Sequence, residues 1–442
     1  MALKKNVRFT LQAGYWWNPA RVSEFLIIRH HCALRLLCSL DYRSRFGLIE
    51  FMQLTQPLRQ IRLSTLMRGL PATVGVCSLI LLTAVQTLSG AERLIRISDG
   101  DSEYTGKLVA LDESQCTLMD RQGRLIELDV PRLTGMERLA ERFKPASIST
   151  FRSGLSEEFG RKYEVTGTTH YLVCAPRGHA ARYAVLFEQI YRDVEQFYRV
   201  RGFRVTKPDV PLVAIVFTSR TDFVGYCTRD HVATSPGLQG YYSLVSNRVA
   251  LFDAGGSFNS AVDDRKTASS SIHAFSGIPG RTANTIVHET IHQVGYNIGI
   301  HTRMGETPLW IVEGMATVLE PSQMRNRRNN QTSGDRVNLE RCDWFRNNYR
   351  PKRSAGSLAK LVASDSLFQR QTLSAYSEAW ALTFFLLENP ARRKNLAAYL
   401  QKLTQRDVTK CYEAKERLSD FESVFGDIAR LEVEFLRYMD RL

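Results

Sequence analysis

No CxxC pair occurs among the eight cysteines, and the five beyond Ala91 (Cys116, Cys174, Cys227, Cys342 and Cys411) form an odd, scattered set. That excludes a disulfide framework as the scaffold, even in an oxidising compartment, and predicts buried free thiols. Long apolar runs are equally scarce. The longest uncharged stretch lies between Arg68 and Glu92, and its strongly apolar part is only as long as the central region of an export signal, marginal for a membrane span. Internal repeats are absent. Two basic runs, RNRRNN and RPKRSAG, lack interleaved aromatics and any nucleic-acid-binding motif, so they read as solvated loops.

What is present begins with that apolar stretch. Met67 and Arg68 precede it, and Ser89 and Ala91 place small residues where a signal peptidase cutting after Ala91 would need them. Residues 67–91 are therefore expected to be a cleaved signal, with the biological start at Met67 and residues 1–66 an upstream segment. The alternative is an uncleaved anchor with a basic tail, the one reading that brings the chain to a membrane. Charge supports the first reading. Residues 1–66 hold ten Lys/Arg against three Asp/Glu, whereas the stretch after Ala91 holds 48 basic and 42 acidic residues, too even a balance to argue for nucleic acid. The expected destination is the periplasm or the exterior.

With 442 residues, 44% apolar and 24% charged, the chain has room for two or three domains of α+β class. Residues 92–137 show short alternating apolar runs with Asp-Gly and Gln-Gly turn signals, which predicts a small β domain, followed by a charged linker over 138–150. Within 151–280, THYLVCAP and VPLVAIVF read as buried strands around a helix at ARYAVLFEQIYRDVEQFYRVRG, and 240–253 reads as a hairpin at a sheet edge, split at Ser246 and Asn247. The Gly/Ser/Ala-rich stretch 255–280 predicts a mobile loop in which His273 is solvated. From 281 to 442 the character is helical.

The segment TANTIVHETIHQVGYN contains HETIH. On a helix, the spacing of four brings His288 and His292 onto one face, where two imidazoles can share a tetrahedral zinc ion. Glu289 follows the first histidine, placed to take a proton from water rather than to bind the metal. Farther on, ETPLWIVEGMATVLEP predicts a short helix with Thr307 as N-cap and Pro308 at its first position. Glu313 is embedded there among apolar residues, where an unpaired carboxylate would be costly and a cation would relieve it. HETIHQVG also resembles the start of a metzincin motif, with Gly295 at the metzincin glycine, and that resemblance implies a third histidine ligand at position 298. That position is Ile298, and His301 comes three residues too late, so His301 reads as a loop histidine.

HETIHQVGYNIGI, PLWIVEGMATVLE and YSEAWALTFFLLE together resemble the bacterial gluzincins of the peptidase-MA-like group, closest to an uncharacterised family of exported peptidases. The resemblance extends from about His170 to the C-terminus. It implies a thermolysin-like lobe binding one zinc ion through His288, His292 and Glu313, with Glu289 as general base and a peptide or protein as substrate. The segment SDGDSEYTGKLVALDESQCTLMDRQGRLIELDVPRL resembles the SH3-like barrels of the Sla1 homology 1 type. Gluzincins also supply a hydrogen-bond donor to the developing oxyanion, and Tyr376 is the candidate, or else a core aromatic alongside Trp380. Asn284 and Thr317, one turn from a ligand each, are candidates to orient the ligands. Two alternatives stay open: an exported cell-envelope binding protein with a non-catalytic gluzincin lobe, and a zinc amidase acting on a non-protein amide.

Overall fold

The computed structural model describes residues 93–100, 102–253, 280–325 and 332–442. The signal segment, the stretch 1–66, the loop with His273 and the RNRRNN run beyond Arg325 lie outside the described residues. The rest falls into two compact units, divided near Lys144 and Pro145.

The first unit is an antiparallel sheet of β1 (Arg93–Asp99), β2 (Ser102–Leu111), β3 (Gln115–Met119), β4 (Leu125–Asp129) and β5 (Gly135–Arg142), in the order β4-β3-β2-β1-β5. Its small core holds Ile95, Ile97, Cys116, Leu118 and Leu128. Gly100, at φ +59°, makes the turn between β1 and β2 that the Asp-Gly pair foretold. The barrel expected from the sequence is corrected to an open sheet. Closure requires the two outermost strands to pair, but a turn at Val130–Arg132 carries the chain from β4 to the far side of β1, leaving β4 and β5 as edges. The charged segment expected as a linker supplies β5. Its Arg and Glu side chains point to solvent, as suits an exposed edge.

The second unit carries a mixed sheet of β6 (Tyr163–Gly167), β7 (Tyr171–Pro176), β8 (Leu212–Phe217), β9 (Gly240–Tyr242) and β10 (Arg248–Phe252), ordered β6-β7-β8-β10-β9. β7, β8 and β10 run parallel, while β6 and β9 are antiparallel edges. Every residue of β8 is buried, the mark of a central parallel strand. Helix α1 (Ile148–Phe159) leads in, α2 (Ala180–Val200) joins β7 to β8, and α3 (Arg220–Arg229) follows β8. The hairpin is shorter than expected. Asn247 takes φ +59° and donates its N–H to the Ser243 carbonyl, so the turn spans 243–247 and β9 keeps three residues.

The helical part comprises α4 (Gly280–Asn297), α5 (Leu309–Leu319), α6 (Leu339–Trp344), α7 (Ser357–Ala363), α8 (Thr372–Glu388), α9 (Pro390–Thr404), α10 (Ala414–Phe425) and α11 (Ile428–Met439), with short turns between. One continuous apolar core links it to the sheet. α4 packs against α2, β9 and β10 through Ile286, Val287, Ile291 and Val294. Polar bonds set its register: Gln293 Nε2 donates to the carbonyls of Val213 (3.0 Å) and Asn247 (2.8 Å), and the amides of Asn297 and Asn247 exchange bonds of 2.8 and 2.9 Å. Gly299, at φ +84°, ends the helix in a left-handed turn that only glycine adopts at no steric cost.

α5 is buried from Trp310 to Leu319. Thr307 does not cap it as expected. Pro308 fills the N-cap position without a side-chain bond, and Asp365, 56 residues on, accepts from the Leu309 N–H at 2.8 Å. At the other end Arg325 donates to the carbonyls of Leu319 and Glu320. α5 lies tight on α8 because Gly314 leaves room: a Cβ there would meet Thr383 Oγ1 at 2.2 Å and the Ala379 carbonyl at 2.7 Å. α8 is held in turn by Glu378, which accepts from Tyr349 and Arg353. Of the five described cysteines, all free, only Cys411 is exposed. No helix among the described residues is long and apolar enough to cross a membrane.

Candidate metal centre

His288 and His292 project from the same face of α4, with their Nε2 atoms 3.0 Å apart and their rings nearly perpendicular at 83°. α5 brings Glu313 opposite, its Oε2 at 3.3 Å from His288 Nε2 and 3.5 Å from His292 Nε2. Tetrahedral coordination with bonds of about 2.0–2.1 Å puts ligand atoms about 3.3–3.4 Å apart, so this triangle fits a single ion with the fourth corner left over. All three side chains are at most 2% exposed, and Glu313 Oε2 faces both histidine Nε2 atoms. Among the described residues, this is the group of three able to share a metal ion.

The orientation of the first ligand comes from beyond the triad. His288 Nδ1 lies 2.8 Å from Glu320 Oε1, and Glu320 Oε2 accepts from Asn338 Nδ2 at 2.7 Å. The same amide donates to the Thr317 carbonyl at 3.0 Å. A proton on Nδ1 held by Glu320 leaves the Nε2 lone pair for a metal. The sequence had offered Asn284 and Thr317 instead. Asn284 is exposed, and the Thr317 hydroxyl donates back to the Glu313 carbonyl at 2.7 Å, an intrahelical bond that orients nothing in the triad. Glu320 was findable, since it stands two helical turns after Glu313 on the same face. Asn338 carries no local signal. A Glu320→Ala variant should bind metal about 10- to 100-fold more weakly, the usual cost of losing such a partner, as read by competition with a chelator of known affinity.

Glu289 is buried on the same helix, with His288, His292 and Glu313 as its charged neighbours and the Tyr242 backbone N–H as a hydrogen-bond donor. Burial raises its pKa above the usual carboxylate range, and Glu313 adds to this while the histidines oppose it. Tyr242 makes that contact because of its place on β9. Ser243 and Gln239 bond to β10, so the intervening register leaves the N–H groups of Gly240 and Tyr242 on the free edge.

Tyr376, on α8, hydrogen-bonds Glu313 and is buried against Phe368, 5.4 Å away between ring centres. Burial first, then the negative charges of Glu313 and Glu289, push its pKa well above the usual value, so the hydroxyl stays a donor. Its neighbour in sequence spacing, Trp380, is a core residue stacked on Phe384. His301 sits in the loop after α4, buried against Gly295 and Tyr296 and apart from the triad, while Ile298 belongs to the apolar core.

Without metal, burial disfavours a charged His288, but hydrogen bonds to Glu313 and Glu320 outweigh it and raise the pKa from 6.5 to about 10. Burial likewise works against an ionised Glu313, and the two histidines outweigh it, lowering the pKa from 4.5 to about 2. The raised His288 value means a stabilising proton that is fully bound below pH 6.5 and lost as pH rises through about 10. Thermal melts of chelator-treated protein should therefore fall across that window. Bound metal takes the place of the proton, so metal-loaded protein should show a flatter profile there.

Residues 282–409, which include the triad, Glu289, Glu320 and Tyr376, match the model of a family described as "Protein of unknown function (DUF1570)". No curated protein matches the chain.

Proposed function

We propose that this chain is an exported, zinc-dependent peptidase. The observation that carries the reading is the convergence of His288 Nε2, His292 Nε2 and Glu313 Oε2 at ligand spacing with the Glu289 carboxylate beside them. Two imidazoles and one carboxylate with a free fourth corner make the donor set of a catalytic zinc, whereas structural zinc has four protein ligands. The gluzincin resemblance supports this reading, as does the packing of the HETIH helix against the edge strand β9. Export is the expectation from residues 67–91.

Zinc, when bound, supplies an acidified water and an electrophile for the scissile carbonyl. Glu289 takes the proton of the attacking water and returns it to the departing amine, a task suited to a carboxyl whose pKa burial has raised. Tyr376 turns its hydroxyl from Glu313 to the carbonyl oxygen as negative charge develops there. The free edge of β9, whose Tyr242 N–H already faces Glu289, holds an extended peptide by backbone hydrogen bonds.

The test is to purify the full chain, measure its zinc and digest a peptide library before and after chelation. One zinc per chain and cleavage that vanishes with the chelator and returns with zinc are expected. Stoichiometric zinc with no cleavage of any peptide would favour the binding-protein or non-protein amidase readings, and a chain that takes up no zinc would end the proposal.

A further inference from the structure

α6 places beside the site a charge for which the reading so far has no use. The side chain of Arg341 is 9% exposed, and its Nε is buried with no hydrogen-bond partner among the described residues. Its nearest carboxylate, on the mostly exposed Glu340, is 3.9 Å away, too far and too wet to satisfy it. Glu320 is closer to the site, but its two oxygens are engaged by His288 and Asn338. Other buried arginines of the same unit are paired: Arg353 with Glu378 and Glu432, Arg417 with Glu306 and Asp365. A buried guanidinium N–H without a hydrogen bond is costly, and a ligand that accepts from it relieves that cost. Its place says which partner. Arg341 Cζ stands 5.5 Å from the ring centre of Tyr376, the residue bonded to Glu313, so the guanidinium is one side chain removed from the triad.

We infer that Arg341 is a specificity-determining residue that binds a carboxylate of the substrate, an inference that rests on the hydrolase reading above. The planar fork of a guanidinium matches a carboxylate with two parallel hydrogen bonds. The carboxylate has two sources in a peptide, the free C-terminus or an acidic side chain, and both present the same chemistry.

The experiment uses the full chain carrying Glu289→Gln, loaded with zinc so that binding is read without turnover. Calorimetry compares four peptides of one core sequence, with a free or amidated C-terminus and with Glu or Gln at an internal position. At least one carboxylate form should bind about 10- to 100-fold tighter than its uncharged counterpart, and which form does so identifies the source. Adding Arg341→Met should erase that preference while zinc stoichiometry and affinity for the uncharged peptide stay unchanged, and Arg341→Lys should keep part of it. Equal affinity across the four peptides, or a preference that survives Arg341→Met, overturns the role of Arg341 and leaves the hydrolase reading intact. Zinc binding with no affinity for any of the four overturns both. The four-peptide comparison leaves Arg341 unchanged, so the inference stays testable even where Arg341→Met fails to fold.

Discussion

A Glu289→Gln variant is expected to keep its zinc, to melt no lower than the parent and to lose about 10²- to 10⁴-fold in turnover, the range that general acid–base groups contribute. The three outcomes follow from one geometry. Glu289 is not among the three residues that share the ion, so exchanging its carboxylate for an amide removes no ligand. The amide oxygen can still accept the Tyr242 N–H. Because burial makes the ionised carboxylate costly, a neutral group of the same shape removes that cost and stability does not suffer. Only the proton transfer is lost. Metal analysis, a thermal melt and kinetics on one cleaved peptide check all three, and a variant with full activity would remove Glu289 from the mechanism.

The second large effect is on the metal. Glu313→Gln should weaken zinc binding by roughly three orders of magnitude, since zinc sites bind with about 10–16 kcal/mol and one of three protein ligands would be lost. The amide keeps the size of the carboxyl and a partner for Tyr376, so the fold should persist. Without the Glu313 carboxylate, however, the proton on His288 loses one of the two bonds that hold it. The stability lost between pH 6.5 and about 10 in metal-free protein should then shrink toward the lower end of that window. Chelator competition reads the first effect and melts across pH read the second. An unchanged zinc affinity would move the third ligand elsewhere.

The parts of the site that the sequence made legible are those that local geometry controls. Four residues on a helix always make one turn, so HETIH by itself put His288 and His292 on a common face and Glu289 beside them. Glu313 was legible because a lone carboxylate among Leu309, Ile311, Val312 and Met315 demands a cation. The strands β7 and β8 and the helix between them were legible because their apolar runs are continuous and bounded, as central parallel strands require.

What the sequence did not disclose depends on chain segments meeting across distance. The cap of α5 comes from Asp365 and not from adjacent Thr307, and the partner of His288 is Glu320 on a second helix, itself held by Asn338 from a third stretch. Local pattern cannot distinguish Asp365 or Asn338 from an exposed carboxylate or amide. Strand closure in the small unit is likewise a matter of which strands meet, so alternation predicted the five strands and not the open edges at β4 and β5. The donor set of the candidate centre was thus legible from the residues themselves. Its orientation, its closeness to the edge strand β9 and the place of Arg341 beside Tyr376 were decided only when the tight contact at Gly314 and the polar ties of Gln293 and Asn247 brought the helices and sheet together.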